Sequence, residues 1–519
     1  MLLLELILLL LLAGVALGWV ARRLGFPYPI ALVFGGLALG LIPRLPQFPV
    51  DPQLILVLVL PPILYQAALL TSWSDFKANI RPIGRLAIGL VIVTTLAVGA
   101  ALKLLVPGVP WAVAFVFGAI VSPPDAVAAT AILSRMNIPR RIVTILEGES
   151  LVNDASGLVI YKFAVAAALT GIFSLTDASL QFVGVASGGI AIGITLAFVF
   201  IAIHKQLGDP FIEVLTSLTI PYVTYIAAEQ AQASGVLAVV AAGLVRGRYS
   251  PELVSAQMRI LARSVWSILV FMLNSLVFIL IGVQMSDVIE KLTMYTLGHL
   301  LWLGFAVSTV AILVRFAWVY PAAWLPRRIA GSLRDSDAQL RKRELGIIGW
   351  CGMRGIVSIA AALALPATLP GGKPFPEREL VIFLTFFVVA LTLVGQGLTL
   401  PALIRRLRIG SNWDIHKEQQ RVRAAMSTAA LTAIDRVLAA ENAPPQWADR
   451  LRAEITDRIT LAAPDGVEIT PRTALEQRLR RAAVQAERRE LIRLWQENEI
   501  SDEVLHHLEE ILDYQEAHL

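Results

Sequence analysis

The chain has 519 residues, of which 56% are hydrophobic and 16% charged, and its mean hydropathy is +0.70. This composition excludes an ordinary soluble protein and indicates a polytopic membrane protein. The net charge of +5 comes from basic residues between apolar segments, which favours basic cytoplasmic loops over a nucleic-acid-binding surface, and the single cysteine, Cys351, excludes a disulfide framework and a thiolate metal cluster.

Apolar runs long enough to cross a bilayer, which takes about 20 helical residues, recur along most of the chain. The first, Leu2 to Val20, lacks the basic start and the A-x-A site of a signal peptide, so we interpret it as the first spanning helix. The ninth run is short, which leaves twelve spans as an alternative to about thirteen. The runs cover residues 2–20, 27–42, 53–70, 83–106, 110–134, 141–171, 180–203, 210–229, 233–245, 264–285, 296–325, 345–366 and 379–404.

Lysines and arginines fall mainly in alternate loops between these runs, and so on one side of the membrane. Cytoplasmic loops are enriched in these residues, so the pattern predicts an N-terminus outside the cell and a C-terminus in the cytoplasm. The composition, rich in Ala, Leu and Arg, favours a bacterial inner membrane as the location.

Beyond Gly410 the composition changes, and residues 411–519 are charged with apolar residues at helical spacing, as in Val504 to Leu512. This pattern predicts a cytoplasmic tail of several short amphipathic helices, interrupted at the Pro444–Pro445 pair and near Pro464. We interpret the tail as a packing or dimer-supporting appendage in preference to a regulatory sensor.

The sixth run carries the sequence L-E-G-E-S-L-V-N-D-A-S-G over residues 146–157, with three carboxylates in a segment that is otherwise apolar. An ionisable group inside a spanning helix costs about 2.5 to 3.5 kcal/mol on insertion scales, so its presence predicts a functional site. On a helix Ser150 and Asp154 share one face, while Glu149 and Asn153 share the adjacent one. These oxygen-bearing side chains predict part of a binding shell for a small hard cation.

The fifth run contains two prolines that should interrupt its helix near mid-membrane. Pro123 and Pro124 remove two amide donors and clash with the preceding turn. Non-helical backbone at this depth is tolerated only where it is buried or lines a wet cavity. Asp125 follows the break and can cap the second half-helix, a structural role that does not exclude a role in binding.

The twelfth run is interrupted in a similar way by G-W-C-G-M-R-G at residues 349–355. A lone arginine near the centre of a span is costly, so Arg354 needs an acidic partner. We expect this partner to be Glu149 or Glu147 on the sixth run. That pairing would leave Asp154 as the unpaired, titratable carboxylate.

Interrupted helices at the fifth and twelfth positions predict two inverted six-helix repeats joined by a linking helix, an arrangement whose binding site lies at the breaks. The predicted fold class is therefore an all-α polytopic membrane protein with discontinuous, crossed helices 5 and 12 and a helical cytoplasmic tail. Four other charges inside spans are interpreted as snorkelling or structurally paired groups: Lys162, Glu213, Glu229 and Arg315.

Four motifs carry a resemblance to a known family: L-P-P-I-L-Y at 60–65, P-P-D at 123–125, E-S-L-V-N-D at 149–154 and M-R-G at 353–355. Over about residues 1–410 the chain resembles the monovalent cation:proton antiporter-1 family of sodium/proton exchangers, which have the NhaA-like transporter fold. The resemblance implies a homodimer in which a core domain, built around helices 4–6 and 11–13, moves against a dimerisation domain to alternate access.

The resemblance also implies roles for individual residues. Asp154 would be the essential carboxylate that binds Na+ or a proton, and Asn153 with it implies electroneutral one-for-one exchange. Several family members carry a carboxylate where this sequence has Gln66, whose amide oxygen can still coordinate. By the same resemblance, Ser150 would coordinate Na+ together with Asp154, and Asp125 would belong to the site. Pro124 would offer its main-chain carbonyl as a ligand. Glu149 and Arg354 would form a buried ion pair.

We therefore predict an antiporter that exchanges Na+ or Li+ for H+, because one carboxylate that holds either a cation or a proton couples the two fluxes. A K+/H+ or mixed-cation antiporter is the alternative, and a cation channel is a more distant one. No cofactor is expected beyond the transported ions. An enzyme is disfavoured because the sequence has no H-E-x-x-H motif, and its only G-K pair, Gly372-Lys373, lacks the glycine spacing of a phosphate loop.

Overall fold

The computed structural model describes residues 2–24, 28–40, 52–133, 136, 138–171, 175–253, 256–329, 342–369, 372–409, 415–441 and 444–460, and parts of 486–497. The predicted tail helix near Val504 to Leu512 and the predicted break near Pro464 lie outside these residues. Almost all of the described part is helical, as the high content of apolar runs predicted. The helices are α1 Leu2–Leu24, α2 Tyr28–Gly40, α3 Pro52–Leu70, α4 Trp73–Ala78, α5 Ile80–Gly84, α6 Val91–Leu105, α7 Trp111–Val121, α8 Ala126–Leu133, α9 Arg140–Thr170, α10 Leu175–His204, α11 Pro210–Gln230, α12 Gly235–Leu253, α13 Ala256–Lys291, α14 Leu297–Ile329, α15 Lys342–Trp350, α16 Ile356–Leu363, α17 Arg378–Leu407, α18 Ile415–Ala440 and α19 Asp449–Thr460, with a π-helical turn at Arg85–Leu90 between α5 and α6.

Seven of the described helical stretches are long and apolar enough to cross a membrane. This confirms an all-helical, multi-span membrane protein, whereas the count of thirteen spans and the inverted repeat stay predictions. The seven stretches are Ile80–Leu105, Arg140–Thr170, Leu180–His204, Pro210–Gln230, Met258–Lys291, Leu297–Ala323 and Arg378–Leu407.

The ninth predicted run is longer in the structure than in the sequence analysis. We expected it at 233–245, whereas α12 continues from Gly235 to Leu253. The apolar pattern ended at the charged residues, but the helix continues through them, and the Arg246 side chain is only 4% exposed. Hydropathy locates the apolar part of a helix and not its end.

The fifth and twelfth runs are each two short helices, as their prolines and glycines predicted. α7 and α8 are separated at residues 122–125, and α15 and α16 at 351–355. The two breaks meet, because the Asp125 amide donates a hydrogen bond of 2.7 Å to the Met353 carbonyl oxygen. Backbone groups that a continuous helix would satisfy internally are here satisfied across the two breaks.

Helix α9 packs closely against the break in the fifth run. A Cβ atom added at Gly157 would lie 2.6 Å from Pro123 Cγ, so only glycine leaves room for the proline ring. The polar stretch of α9 is thereby held beside the non-helical backbone. This contact positions the candidate site.

Helix α3 stays continuous although it contains Pro61 and Pro62. A proline cannot donate the usual hydrogen bond to the carbonyl four residues earlier, which for Pro62 is the carbonyl of Leu58. The Tyr222 hydroxyl of α11 donates to this Leu58 oxygen at 2.9 Å. A side chain of a neighbouring helix therefore replaces the missing backbone donor.

The chain divides into two compact units, Met1–Ser411 and Asn412–Leu519. In the second unit α18 and α19 pack together, and Arg452 of α19 pairs with Asp435 of α18. The candidate site lies wholly in the first unit.

Candidate functional site

The polar stretch of α9 lines one wall of a cavity of about 360 Å³. Glu147, Ser150 and Asp154 are spaced three and four residues apart on α9, so they form one stripe along the helix. The other walls come from α2, α3, α8, α13, α16 and α17. The polar residues on or next to α3, α8 and α9 that line the cavity are Gln66, Thr71, Asp125, Thr130, Glu147, Ser150 and Asp154.

Asp154 lies at the buried part of this cavity, with only 6% of its surface exposed. No described residue donates a hydrogen bond to its carboxylate or forms an ion pair with it. Burying an unpaired carboxylate is costly unless a proton or a cation accompanies it. The side chain is therefore suited to bind either one.

Ser150 and Asp125 both lie near the start of α8. The Ser150 hydroxyl oxygen accepts a hydrogen bond of 3.2 Å from the amide of Ala126, the first residue of α8. The Asp125 carboxylate lies against Gly355, where an added Cβ would be 2.5 Å from Asp125 Cγ. Gly355, in the break between α15 and α16, therefore leaves the space that the Asp125 carboxylate occupies.

Asn153 and Pro124 are joined to each other but do not line the cavity. The Asn153 Nδ2 donates to the Pro124 carbonyl oxygen at 2.8 Å, and both residues are buried. The Asn153 Oδ1 is buried without a hydrogen-bond partner. In this structure the pair therefore holds the broken helix to α9, one residue from Asp154.

Gln66 also reaches the cavity, from the middle of α3, and is half-buried. The structure thus brings four of the predicted site residues, Asp154, Ser150, Asp125 and Gln66, to one cavity. An amide oxygen is a possible ligand for a hard cation, but it adds no charge.

The predicted ion pair between Glu149 and Arg354 is wrong. Glu149 pairs instead with Arg315 of α14, with Nη1–Oε1 and Nη2–Oε2 distances of 2.5 and 2.8 Å, and both side chains are 1% exposed. Arg315 Nε also donates to the Ile348 carbonyl oxygen at 3.0 Å. This bidentate geometry satisfies the carboxylate fully.

Arg354 donates hydrogen bonds to the second break and to α17. Its Nη1 donates to the Gly352 carbonyl oxygen at 2.6 Å, and its amide donates to Thr392 Oγ1 of α17 at 3.0 Å. The break supplies an acceptor for Nη1, whereas the Arg354 Nε is buried without a hydrogen-bond partner among the described residues, and Glu149 is close enough to attract the guanidinium without forming an ion pair with it. Arg315 is itself a lone arginine inside an apolar span and needs a partner for the same reason, so the sequence contains a signal for its pairing with a buried carboxylate.

Two other charges inside spans are paired with each other. Lys162 Nζ of α9 lies 2.9 Å from Glu229 Oε2 of α11, and both are partly exposed. Glu229 Oε1 also accepts a hydrogen bond of 3.2 Å from the Gly235 amide. These groups are structurally paired, one of the two roles expected for them.

The chain is similar to several known proteins. The sequence profile of the family described as "Sodium/hydrogen exchanger, transmembrane" matches residues 7–406. A protein of Mycobacterium tuberculosis named an uncharacterized Na+/H+ exchanger is 33% identical over 98% of this chain and 95% of its own length. The sodium, potassium, lithium and rubidium/H+ antiporter of Bacillus subtilis is 35% identical over 77% of this chain and 61% of its own length. The structure of the sodium proton antiporter MjNhaP1 from Methanocaldococcus jannaschii at pH 8 has a TM-score of 0.63 at 19% identity, over 78% of this chain and 98% of that one, which shows a shared fold.

Proposed function

The chain belongs to the sodium/hydrogen exchanger family and is a monovalent cation/proton antiporter, not an enzyme, and we propose that it exchanges Na+ or Li+ for H+ one for one. The main support for this function is Asp154, a buried carboxylate that lines the cavity and has no hydrogen bond or ion pair with any residue that the structure describes. Such a group can neutralise its charge with a proton or with a cation, but not with both at once. Competition for one carboxylate then couples the two fluxes.

The proposed Na+ ligands are Asp154 and Ser150, with Asp125 and Gln66 on the facing walls of the cavity. Carboxylate, hydroxyl and amide oxygens are the ligands that hard cations prefer. The hydrogen bond between Asn153 and Pro124 supports a positioning role for both residues. The Pro124 carbonyl keeps a second lone pair, so it can also serve as the ligand that the resemblance implies.

Alternating access is supported by the position of the cavity between two groups of helices. One group, with α8, α9, α16 and α17, contains the breaks and Asp154, and the other contains α2, α3 and α13. Movement of the first group against the second would expose Asp154 to either side in turn. We propose that the second group belongs to the scaffold of a homodimer, with the N-terminus outside and the tail, residues 411–519, in the cytoplasm.

A broader cation preference is the second candidate. The relative from Bacillus subtilis is named for transport of sodium, potassium, lithium and rubidium. Gln66 is neutral, so the cavity has one negative charge fewer than it would with a carboxylate there. A weaker field favours ions that are easier to dehydrate, and K+ is easier to dehydrate than Na+.

The test is proton-coupled cation flux by the purified protein in liposomes with a pH-sensitive dye inside. With the membrane potential clamped at zero, addition of NaCl or LiCl should drive H+ movement, and the rate should not change when a potential is imposed. An equal response to KCl would select the mixed-cation function. Cation flux that proceeds without H+ movement would indicate a channel and overturn the proposal.

A further inference from the structure

A third carboxylate lines the cavity that contains Asp125 and Asp154, and it has no role in the exchange described above. Glu147 lies on α9, closer to the helix start than Asp154. We propose that Glu147 is a loading residue, which concentrates monovalent cations at the accessible part of the cavity and passes them to Asp154. This inference rests on the proposed cation/proton exchange.

The geometry of α9 places the two carboxylates in line. Seven residues turn an α-helix by nearly two full turns, so Glu147 and Asp154 project within about 20° of each other and lie about 10.5 Å apart along the axis. Ser150 lies between them on the same stripe and lines the same cavity. Glu147, Ser150 and Asp154 therefore offer oxygen ligands one after another along the cavity wall.

A loading residue must be more accessible than the residue that it supplies, and the two carboxylates differ in burial in this way. Glu147 is half-buried, whereas Asp154 is 6% exposed. Thr71, just after the end of α3, lines the same cavity, so the cavity extends to the helix ends. Glu147 therefore lies on the more accessible side of Asp154.

The basic groups near Glu147 form contacts with other residues, although the Arg140 guanidinium is also close enough to attract the Glu147 carboxylate. Arg140 pairs with Asp75 at 3.1 Å, and the Nε of Arg141 donates to Asn79 Oδ1 at 2.9 Å. Glu149, by contrast, is neutralised by its bidentate pair with Arg315. Glu147 forms neither an ion pair nor a hydrogen bond with any residue that the structure describes.

Two observations together point to a mobile cation as the ligand. One is the position of Glu147 on the cavity wall, where it has no ion pair or hydrogen bond with any residue that the structure describes. The other, independent of it, is Asp154, more than nine-tenths buried, also without a partner among the described residues and lining the same cavity. With a neutral amide at Gln66, Glu147 adds charge to a wall that is otherwise acidic only at Asp125 and Asp154 among the described residues.

The charge of Glu147 acts on how often a cation reaches Asp154, and not on the exchange at Asp154 itself. Attraction between unit charges about 10 Å apart in a partly hydrated cavity changes local cation affinity by about threefold to tenfold. Salt screens such an interaction over a similar distance. Removing the charge should therefore raise the KM for Na+, leave the maximal rate unchanged, and matter less at high ionic strength.

The experiment compares Glu147→Gln with Glu147→Asp and with the control Glu290→Gln, which removes a carboxylate from an exposed position at the end of α13. Each purified protein is reconstituted in liposomes, and Na+-driven H+ movement is measured over a range of NaCl concentrations. We expect Glu147→Gln to raise the KM for Na+ by about threefold to tenfold at low ionic strength, with a maximal rate within about twofold of wild type. Glu147→Asp and Glu290→Gln should retain the wild-type KM within about twofold.

A KM that stays at the wild-type value, or one that rises equally at low and at high ionic strength, would overturn the inference. So would a fall in maximal rate without a change in KM, because that pattern indicates a structural defect. If Glu147→Gln fails to fold, Glu147→Ser carries the same expectation, since the position faces a cavity.

The inference can fail separately from the proposed function. If the wild-type protein shows no Na+-driven H+ movement, the proposed exchange is itself wrong. Suppose instead that the wild type exchanges, that Asp154→Asn has no exchange activity and that Glu147→Gln has the wild-type KM. Then only the loading role is wrong.

Discussion

The Asn153 side chain of α9 donates a hydrogen bond of 2.8 Å to the carbonyl oxygen of Pro124, in the break between α7 and α8. Proline cannot donate a backbone hydrogen bond, and its ring prevents a regular helix, so the carbonyls at this break need donors from outside. Asn153 is such a donor, and its neighbour in sequence is Asp154. The broken helix and the candidate ion-binding carboxylate are therefore fixed relative to each other.

Removing this hydrogen bond should loosen the site. Asn153→Ala leaves the Pro124 carbonyl oxygen without this donor, which costs about 1 to 3 kcal/mol in a buried position. We expect a lower thermal unfolding midpoint in detergent and a higher KM for Na+. Asn153→Asp, which also lacks the amide donor, should lower the midpoint similarly, and an unchanged midpoint in both variants would contradict this role of Asn153.

Asp154→Asn should abolish Na+-driven H+ movement, because the amide can neither release a proton nor neutralise a cation. The side chains have the same shape, so the thermal unfolding midpoint should stay at or above that of wild type. Dye dequenching in liposomes measures the exchange. Exchange at the wild-type rate by this variant would show that another group carries the ion.

The proton should act as a competitive inhibitor of Na+ binding. As the pH falls, the KM for Na+ should rise, approaching about tenfold per pH unit once the proton occupies most sites, while the rate at saturating Na+ stays constant. Rates measured over a grid of NaCl concentrations and pH values test this. A maximal rate that falls with an unchanged KM would indicate separate proton and cation sites.

Arg315 should be more important for stability than Arg354, because Arg315 and not Arg354 forms the ion pair with Glu149. Arg315→Met leaves the Glu149 carboxylate buried and unpaired, a change that costs about 3 to 5 kcal/mol. Arg354→Met leaves the bidentate pair of Glu149 intact, so its thermal unfolding midpoint should fall less. The double variant Glu149→Met/Arg315→Met should recover part of the loss, and a midpoint below that of Arg315→Met would contradict the pairing.

Gly355 should not tolerate a larger residue. In Gly355→Ala the new Cβ would lie 2.5 Å from Asp125 Cγ, so the carboxylate or the break must move. Overpacking of this kind costs about 1 to 3 kcal/mol, and we expect a loss of both stability and exchange rate. Gly346→Ala in α15 is the matched control, because its nearest neighbour would be 3.6 Å away and both properties should be retained.

The sequence by itself determined the membrane class, most of the helices and the two breaks. Span length follows from the bilayer thickness, and the breaks follow from Pro123 and Pro124 and from the glycines around Arg354, so each is a local property of a short segment. The motif stretch at 149–154 also predicted four side chains of which two, Ser150 and Asp154, line the cavity.

Only the tertiary structure decided which groups pair. Glu149 and Arg315 are 166 positions apart, and nothing in either segment states that they meet or that Arg354 donates to the nearby Gly352 carbonyl. The same holds for Asn153, which holds Pro124 while Asp154 beside it faces the cavity. Hydropathy and helix breakers act within a segment, whereas the choice of a buried partner depends on distances between segments, which are known only after the helices pack.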